Sequence, residues 1–131
     1  MKNDFVPQGY NTVMPYLILK NAIGFAEFVE KVFDGKENKE IRHMRDETTI
    51  MHGQIKIGDS IIMFSDSTDD YPPLPASLFI YVRDADESFK KAIDNGAAEI
   101  MKMSDQPYGR SGGVTDAFGN KWWITSEKKI D

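Results

Sequence analysis

Apolar residues recur along this chain with two periods that alternate in a regular order. Residues 13–20 (VMPYLILK) form a short apolar run that predicts a strand, with Pro15 near its start, where a missing N–H is tolerated. Asn21 then offers an N-cap. Phe25, Phe28, Val29 and Val32 follow at helical spacing, which predicts a helix to about Phe33. Asp34 and Gly35 close it, Gly35 being able to take the left-handed C-terminal position. The period then falls to two. Residues 39–45 and 49–57 predict a hairpin turning at Asp46 and Glu47. In its second strand Met51, Gly53, Ile55 and Ile57 share one side, and His52, Gln54 and Lys56 share the other. Gly58 and Asp59 turn the chain into a strand at 60–65 (SIIMFS).

A polar, Pro-rich stretch predicts a linker at 67–76, and then the order repeats. Residues 77–82 (SLFIYV) predict a strand. Asp84 caps a helix to about Asn95, with Glu87 completing a capping box and Phe89, Ala92 and Ile93 forming the apolar stripe. Gly96 ends it, and residues 98–103, 109–115 and 121–125 predict three more strands. The run LILKNA before the first helix resembles IYVRDA before the second. The order is β-α-β-β-β twice, an internal duplication with modules at 13–66 and 77–126 of one domain, 1–131. The expected fold class is α+β. A helix covers one face of each module's strands, and the other faces curl into a curved, mixed sheet around a cavity suited to a small molecule.

Composition narrows the partners. A net charge of −5, with Lys and Arg scattered, argues against nucleic acid, because counterion release needs a basic face. It tilts the expectation towards a neutral or cationic ligand. No apolar run approaches a membrane span of about 18 residues. The N-terminal residues MKNDFVPQGY lack the apolar core of a secretory signal, and the chain has no cysteine, so a cytoplasmic location is expected.

The motifs are more specific than the composition. Met14-Pro15-Tyr16-Leu17 is similar to a T-P-Y-L opening. Met51-His52 followed by Ile55-Lys56-Ile57-Gly58-Asp59-Ser60 is similar to M-H-A-E-x-x-I-G-D-S, and Phe64-Ser65-Asp66 to L-S-D. Residues 105–122 (DQPYGRSGGVTDAFGNKW) are similar to D-Q-x-Y-G-D-R-S-G-G-V-x-D-P-F-G-N-x-W. With these, the chain from about Val13 to about Ser126 resembles the vicinal oxygen chelate superfamily, and within it the PhnB-like branch. That superfamily holds glyoxalase I, extradiol dioxygenases, fosfomycin-resistance enzymes and bleomycin-binding proteins. The resemblance implies a homodimer with the cavity near the subunit contact. It also implies that metal-using members draw one ligand from the first and last strand of each module. Those positions here are Met14, Met63, Ser77 and Trp123, none of them a His or carboxylate. No metal and no cofactor is therefore expected. Two further departures are the missing Asp between Gly109 and Arg110, and Thr125-Ser126 in place of a Thr-His ending.

If the alternation holds, Met14, Tyr16, His52, Gln54, Met63, Ser77, Phe79, Trp123 and Thr125 line the cavity. The apolar members are otherwise core filling. His52 is the candidate catalytic residue, since an imidazole serves as general base or hydrogen-bond donor near neutral pH; its other reading is a histidine bonded to a cross-strand partner. Tyr108 and Arg110, in the Gly-rich hairpin, either clamp an anionic group at the cavity mouth or hold the hairpin through Asp105 or Asp116. The favoured function is metal-independent binding of a small organic molecule in an aromatic cup. The alternatives are a metal-dependent lyase, isomerase or dioxygenase of the same superfamily with other ligands, and a protein-interaction module.

Overall fold

The structure, a computed structural model, describes residues 5–127. The first module runs β1 (Tyr16–Leu19), α1 (Ala22–Phe33), β2 (Lys36–Glu37), a 3-10 turn at Lys39–Ile41, β3 (His43–Met44), β4 (Ile50–Ile57) and β5 (Ser60–Asp66). The second runs β6 (Ser77–Tyr81), α2 (Ala85–Asp94), β7 (Ala98–Gln106), β8 (Gly109–Thr115) and β9 (Lys121–Glu127). Each module pairs its first strand in parallel with its last, β1 with β5 and β6 with β9, and its remaining strands antiparallel. The strand orders, β1-β5-β4-β2 and β6-β9-β8-β7, are the same topology twice. The fold is α+β, with the strands divided into two curved, mixed sheets. An isolated bridge between Ile18 and Leu74 ties the linker to β1.

The helix ends follow the expected chemistry with two differences. Asn21 caps α1, its Oδ1 accepting from Gly24 N at 3.1 Å, and Asp84 caps α2 in the same way for Glu87 N at 3.1 Å. Glu87 does not reach back to complete a capping box; its carboxylate pairs with Lys91 one turn on, at 3.3 Å. At the end of α1 the left-handed residue is Asp34, with φ 56°, not Gly35. Gly35 is required for space instead, since a Cβ there would lie 2.5 Å from the Val29 side chain.

The expected strand at 39–45 is interrupted. The Arg42 side chain folds back onto Glu37, and the 3-10 turn separates two strand fragments of two residues each. His43 faces His52, but Met44 faces Ile50, so Met51 is the extra residue of a β-bulge. The bulge reverses the alternation at the start of β4. Ile50 is buried, and Met51, expected beside Ile55, is exposed.

One continuous core holds both helices and one face of each sheet. Phe25, Ala26 and Val29 of α1 pack over Ile55 and Phe64 of the first sheet, while Phe33 meets Trp122 of the second at 4.6 Å. Phe118 packs edge-on against Phe25 and Phe28. The opposite face of each sheet lies outside this core.

Asp66 fixes the geometry of the first module from within. It is buried, and its carboxylate accepts from Ala22 N at 3.0 Å and from Ile50 N at 2.6 Å, joining the start of α1 to β4. Asp66→Ala strands two buried N–H groups, so a loss on the order of 3 kcal/mol is expected. Urea unfolding measures it, and an unchanged midpoint would remove the role.

Candidate functional site on the open sheet faces

On the first sheet, Tyr16 of β1, Met63 of β5 and Gln54 of β4 stand side by side in register. The Tyr10 hydroxyl donates to Gln54 Oε1 at 2.9 Å. His52 lies next along β4, its Nδ1 3.4 Å from the Tyr16 hydroxyl and its ring 5.6 Å from the Tyr16 ring. Its partners are thus Tyr16 across the sheet and His43 opposite on β3. Met14 precedes β1 and is half-buried.

On the second sheet, Phe79, Trp123 and Gly113 form the corresponding row. A Cβ at Gly113 would lie 2.6 Å from the Trp123 ring, so the indole covers bare backbone there. The indole N–H donates to Ser77 Oγ at 2.9 Å, fixing the ring from its other edge. Phe79 meets Tyr81 at 5.2 Å and Tyr108 at 6.1 Å, which extends the aromatic surface across the face. Thr125 is buried on this side and shares a 2.8 Å hydrogen bond with Ser111. Tyr81, 64% exposed, was missed in the sequence, although it continues the alternation of Ser77 and Phe79.

The predicted residues therefore gather in two groups. Tyr16, His52, Gln54 and Met63 lie on the first open face, and Ser77, Phe79, Tyr108, Trp123 and Thr125 on the second. The hydrogen bonds and ring contacts of each group stay within its own module. Because the shared core lies between the helix-facing sides of the sheets, one chain does not close the two faces into a single cup.

Arg110 belongs to neither group. Residues alternate along β8, so Arg110 shares the helix side with Val114, and its guanidinium pairs with Asp86 of α2 at 3.1 and 3.2 Å. A weaker bond reaches Asp105 at 3.4 Å. Its pKa is raised above the ordinary value, first through the Asp86 hydrogen bonds. The reading of Arg110 as an anion clamp is corrected: the side chain ties the hairpin to α2. Ser126 likewise works on the helix side, its Oγ accepting from Ala85 N at 2.5 Å.

A family model described as the Glyoxalase/Bleomycin resistance protein/Dioxygenase superfamily matches residues 17–124. The chain belongs to that superfamily. Among solved structures, TioX from Micromonospora sp. ML1 is 22% identical with a TM-score of 0.72, over 89% of this chain and 99% of that one. A protein from Bacillus cereus described as a putative 3-demethylubiquinone-9 3-methyltransferase, PhnB protein, is 21% identical with a TM-score of 0.71, over 88% of this chain and 99% of that one. An uncharacterized protein of Mycobacterium tuberculosis is 26% identical, over 82% of this chain and 69% of its own length. These likenesses establish the fold that a glyoxalase-superfamily chain would have.

Met14, Met63, Ser77 and Trp123, the positions that the resemblance implies for metal ligands, offer a divalent ion no imidazole or carboxylate. Trp123 offers an N–H, already given to Ser77, and Met63 offers a neutral thioether. Among the described residues, no three His, Cys, Asp or Glu side chains converge as a metal site would require. No helix among them is long and apolar enough to cross a membrane.

Proposed function

We propose that this member of the superfamily binds a small organic molecule without a metal, on the aromatic face built around Trp123. The observation that carries this is the seating of Trp123, with its ring laid over Gly113, its N–H held by Ser77 and Phe79 beside it in register. An aromatic surface fixed from two sides is preorganised, so little side-chain entropy is lost when a flat ligand stacks on it. The cavity is completed by the first open face of a second copy, which brings Tyr16, His52, Gln54 and Met63 opposite the aromatic row. In that arrangement His52 and Tyr16 supply the polar contacts that orient the ligand.

Titration with a panel of aromatic small molecules, followed by tryptophan fluorescence, tests the reading. Trp122 is 1% exposed and packed against Phe33, so a saturable quench is expected to come from Trp123. Trp123→Ala should abolish binding while the urea midpoint holds. An affinity unchanged by that substitution would take Trp123 out of the site. A protein that answers no member of the panel, yet gains stability with one ion of Ni, Zn, Mn or Fe per chain, would favour metal-dependent chemistry instead.

A further inference from the structure

The outer edge of the first sheet carries a cleft of about 440 Å³, lined by Tyr10, Lys36, Asn38, Gln54, Lys56 and Ile61 among others. Lys36 of β2 and Lys56 of β4 are direct cross-strand partners, so both side chains leave the same side of the sheet. Their Cβ atoms are then roughly 4.5–5.5 Å apart, a spacing at which like charges on paired strands repel. Some cations have carboxylate partners, as Lys90 has Asp94, Lys91 has Glu87 and Arg110 has Asp86; what sets Lys36 and Lys56 apart is that they face each other across paired strands. Neither the Lys36 nor the Lys56 ammonium has an ion pair or side-chain hydrogen bond among the described residues.

The carboxylate nearest to hand does not relieve them. Glu37 borders the cleft, but its side chain is buried and both its oxygens are taken by Arg42, at 2.6 and 2.5 Å. The remaining polar groups add donors. Gln54 Oε1 is occupied by the Tyr10 hydroxyl, which orients the Gln54 amide so that its NH₂ is left to donate. Asn38 adds a second amide at the rim. Two unpaired ammonium groups and an oriented NH₂ thus face one cleft, with no acceptor among the described residues to balance them.

We propose that this cleft binds a doubly charged oxyanion, a phosphate or a dicarboxylate, bridged between Lys36 and Lys56 with Gln54 as a third donor. The chain's net charge of −5 does not oppose this. Charges beyond about 8–10 Å are screened at physiological salt, and two ammonium groups in contact with the ligand dominate. The site uses neither Trp123 nor the second sheet; it shares Gln54 with the proposed ligand cavity, and its readout, an anion-dependent Tm, is separate from the Trp123 quench that tests that cavity.

Inorganic phosphate and malonate, each against chloride at matched ionic strength, test it through thermal unfolding of the full chain. The expected result is a saturable rise in Tm with phosphate, malonate or both, absent with chloride. The response should vanish in a Lys36→Gln/Lys56→Gln variant and persist in Lys90→Gln. A response to both ions assigns recognition by charge, and a response to one assigns its geometry. Without any anion the double variant should melt at or above the wild-type Tm, since it has lost only a repulsion, so misfolding does not imitate the expected loss. No rise in Tm, an equal rise with chloride, or a rise that survives in the double variant would overturn the proposal.

Discussion

Replacing Asp116 with alanine is expected to be among the most destabilising single changes in the chain, at about 4 kcal/mol. The carboxylate sits at the centre of the D-x-F-G-N turn. Its Oδ1 accepts from Phe118 N and Asn120 N, both at 2.9 Å, and its Oδ2 accepts from Asn120 Nδ2 at 3.0 Å and Trp122 Nε1 at 2.8 Å. Asp116, Asn120 and Trp122 are 4%, 0% and 1% exposed, so water does not replace the lost acceptor. Each stranded donor costs roughly 1–3 kcal/mol. The damage spreads along two paths. Asn120 also accepts from Ala76 N at 2.9 Å, which sets the start of β6, and Trp122 packs on Phe33 of α1. Asp116→Asn keeps one acceptor but turns an NH₂ towards another donor, and should recover only part of the loss. Urea unfolding measures both variants. A loss below about 1 kcal/mol for the alanine variant would mean that the turn finds other acceptors.

Asp116 also shows how far the sequence could be read. Its spacing from Phe118, Gly119 and Asn120 marks a turn, and the turn is there. That its carboxylate holds the indole of Trp122 is a three-dimensional fact, because an aspartate in a turn and an aspartate anchoring a buried tryptophan have the same local pattern. The same division runs through the fold. The helical spacing of Phe25, Phe28, Val29 and Val32 placed α1, and the apolar run from Ser77 placed β6. Residues 36–44 could not be read this way, since two-residue strands are too short to display a period. Lys36 therefore gave no sign of facing Lys56. The bulge at Met51 inverted an alternation that was otherwise sound, because one inserted residue exchanges the faces of a strand. For Arg110 the sequence left a clamp and a hairpin tie equally open; it offered Asp105, which the side chain reaches at 3.4 Å, but only the packing of α2 brought Asp86 to it.

What covers the two open faces was not legible for a different reason. Alternation tells which side chains share a face, but not what covers that face. Here the duplicated modules share a core through their helices, so their open faces are left as two surfaces. Those surfaces carry exposed aromatic side chains: Tyr16 is 49%, Phe79 52% and Tyr81 64% exposed. Aromatic residues in register on a bare sheet face mark a surface that another molecule covers.

The wild-type protein is accordingly expected to be a homodimer, with twice the 14.9 kDa chain mass by light scattering. Phe79→Glu/Tyr81→Glu should give a folded monomer. These two side chains point away from the core, so two carboxylates there should leave the unfolding transition largely intact while charging the face that meets the partner. The pairing expected is reciprocal, the first face of each copy on the second face of the other, as two-fold symmetry demands of a self-complementary contact. Subunit mixing tests that geometry. Tyr16→Ala and Trp123→Ala each damage both cavities of their own homodimer. A mixed dimer unites the undamaged first face of one chain with the undamaged second face of the other. After equal mixing and exchange, about one quarter of all cavities should therefore be intact, if the two faces meet across the dimer. A dimer whose mixed variants recover no binding would place each cavity within one chain. A wild-type monomer with the aromatic face left bare would remove the shared cavity altogether, and leave Trp123 as a one-sided site.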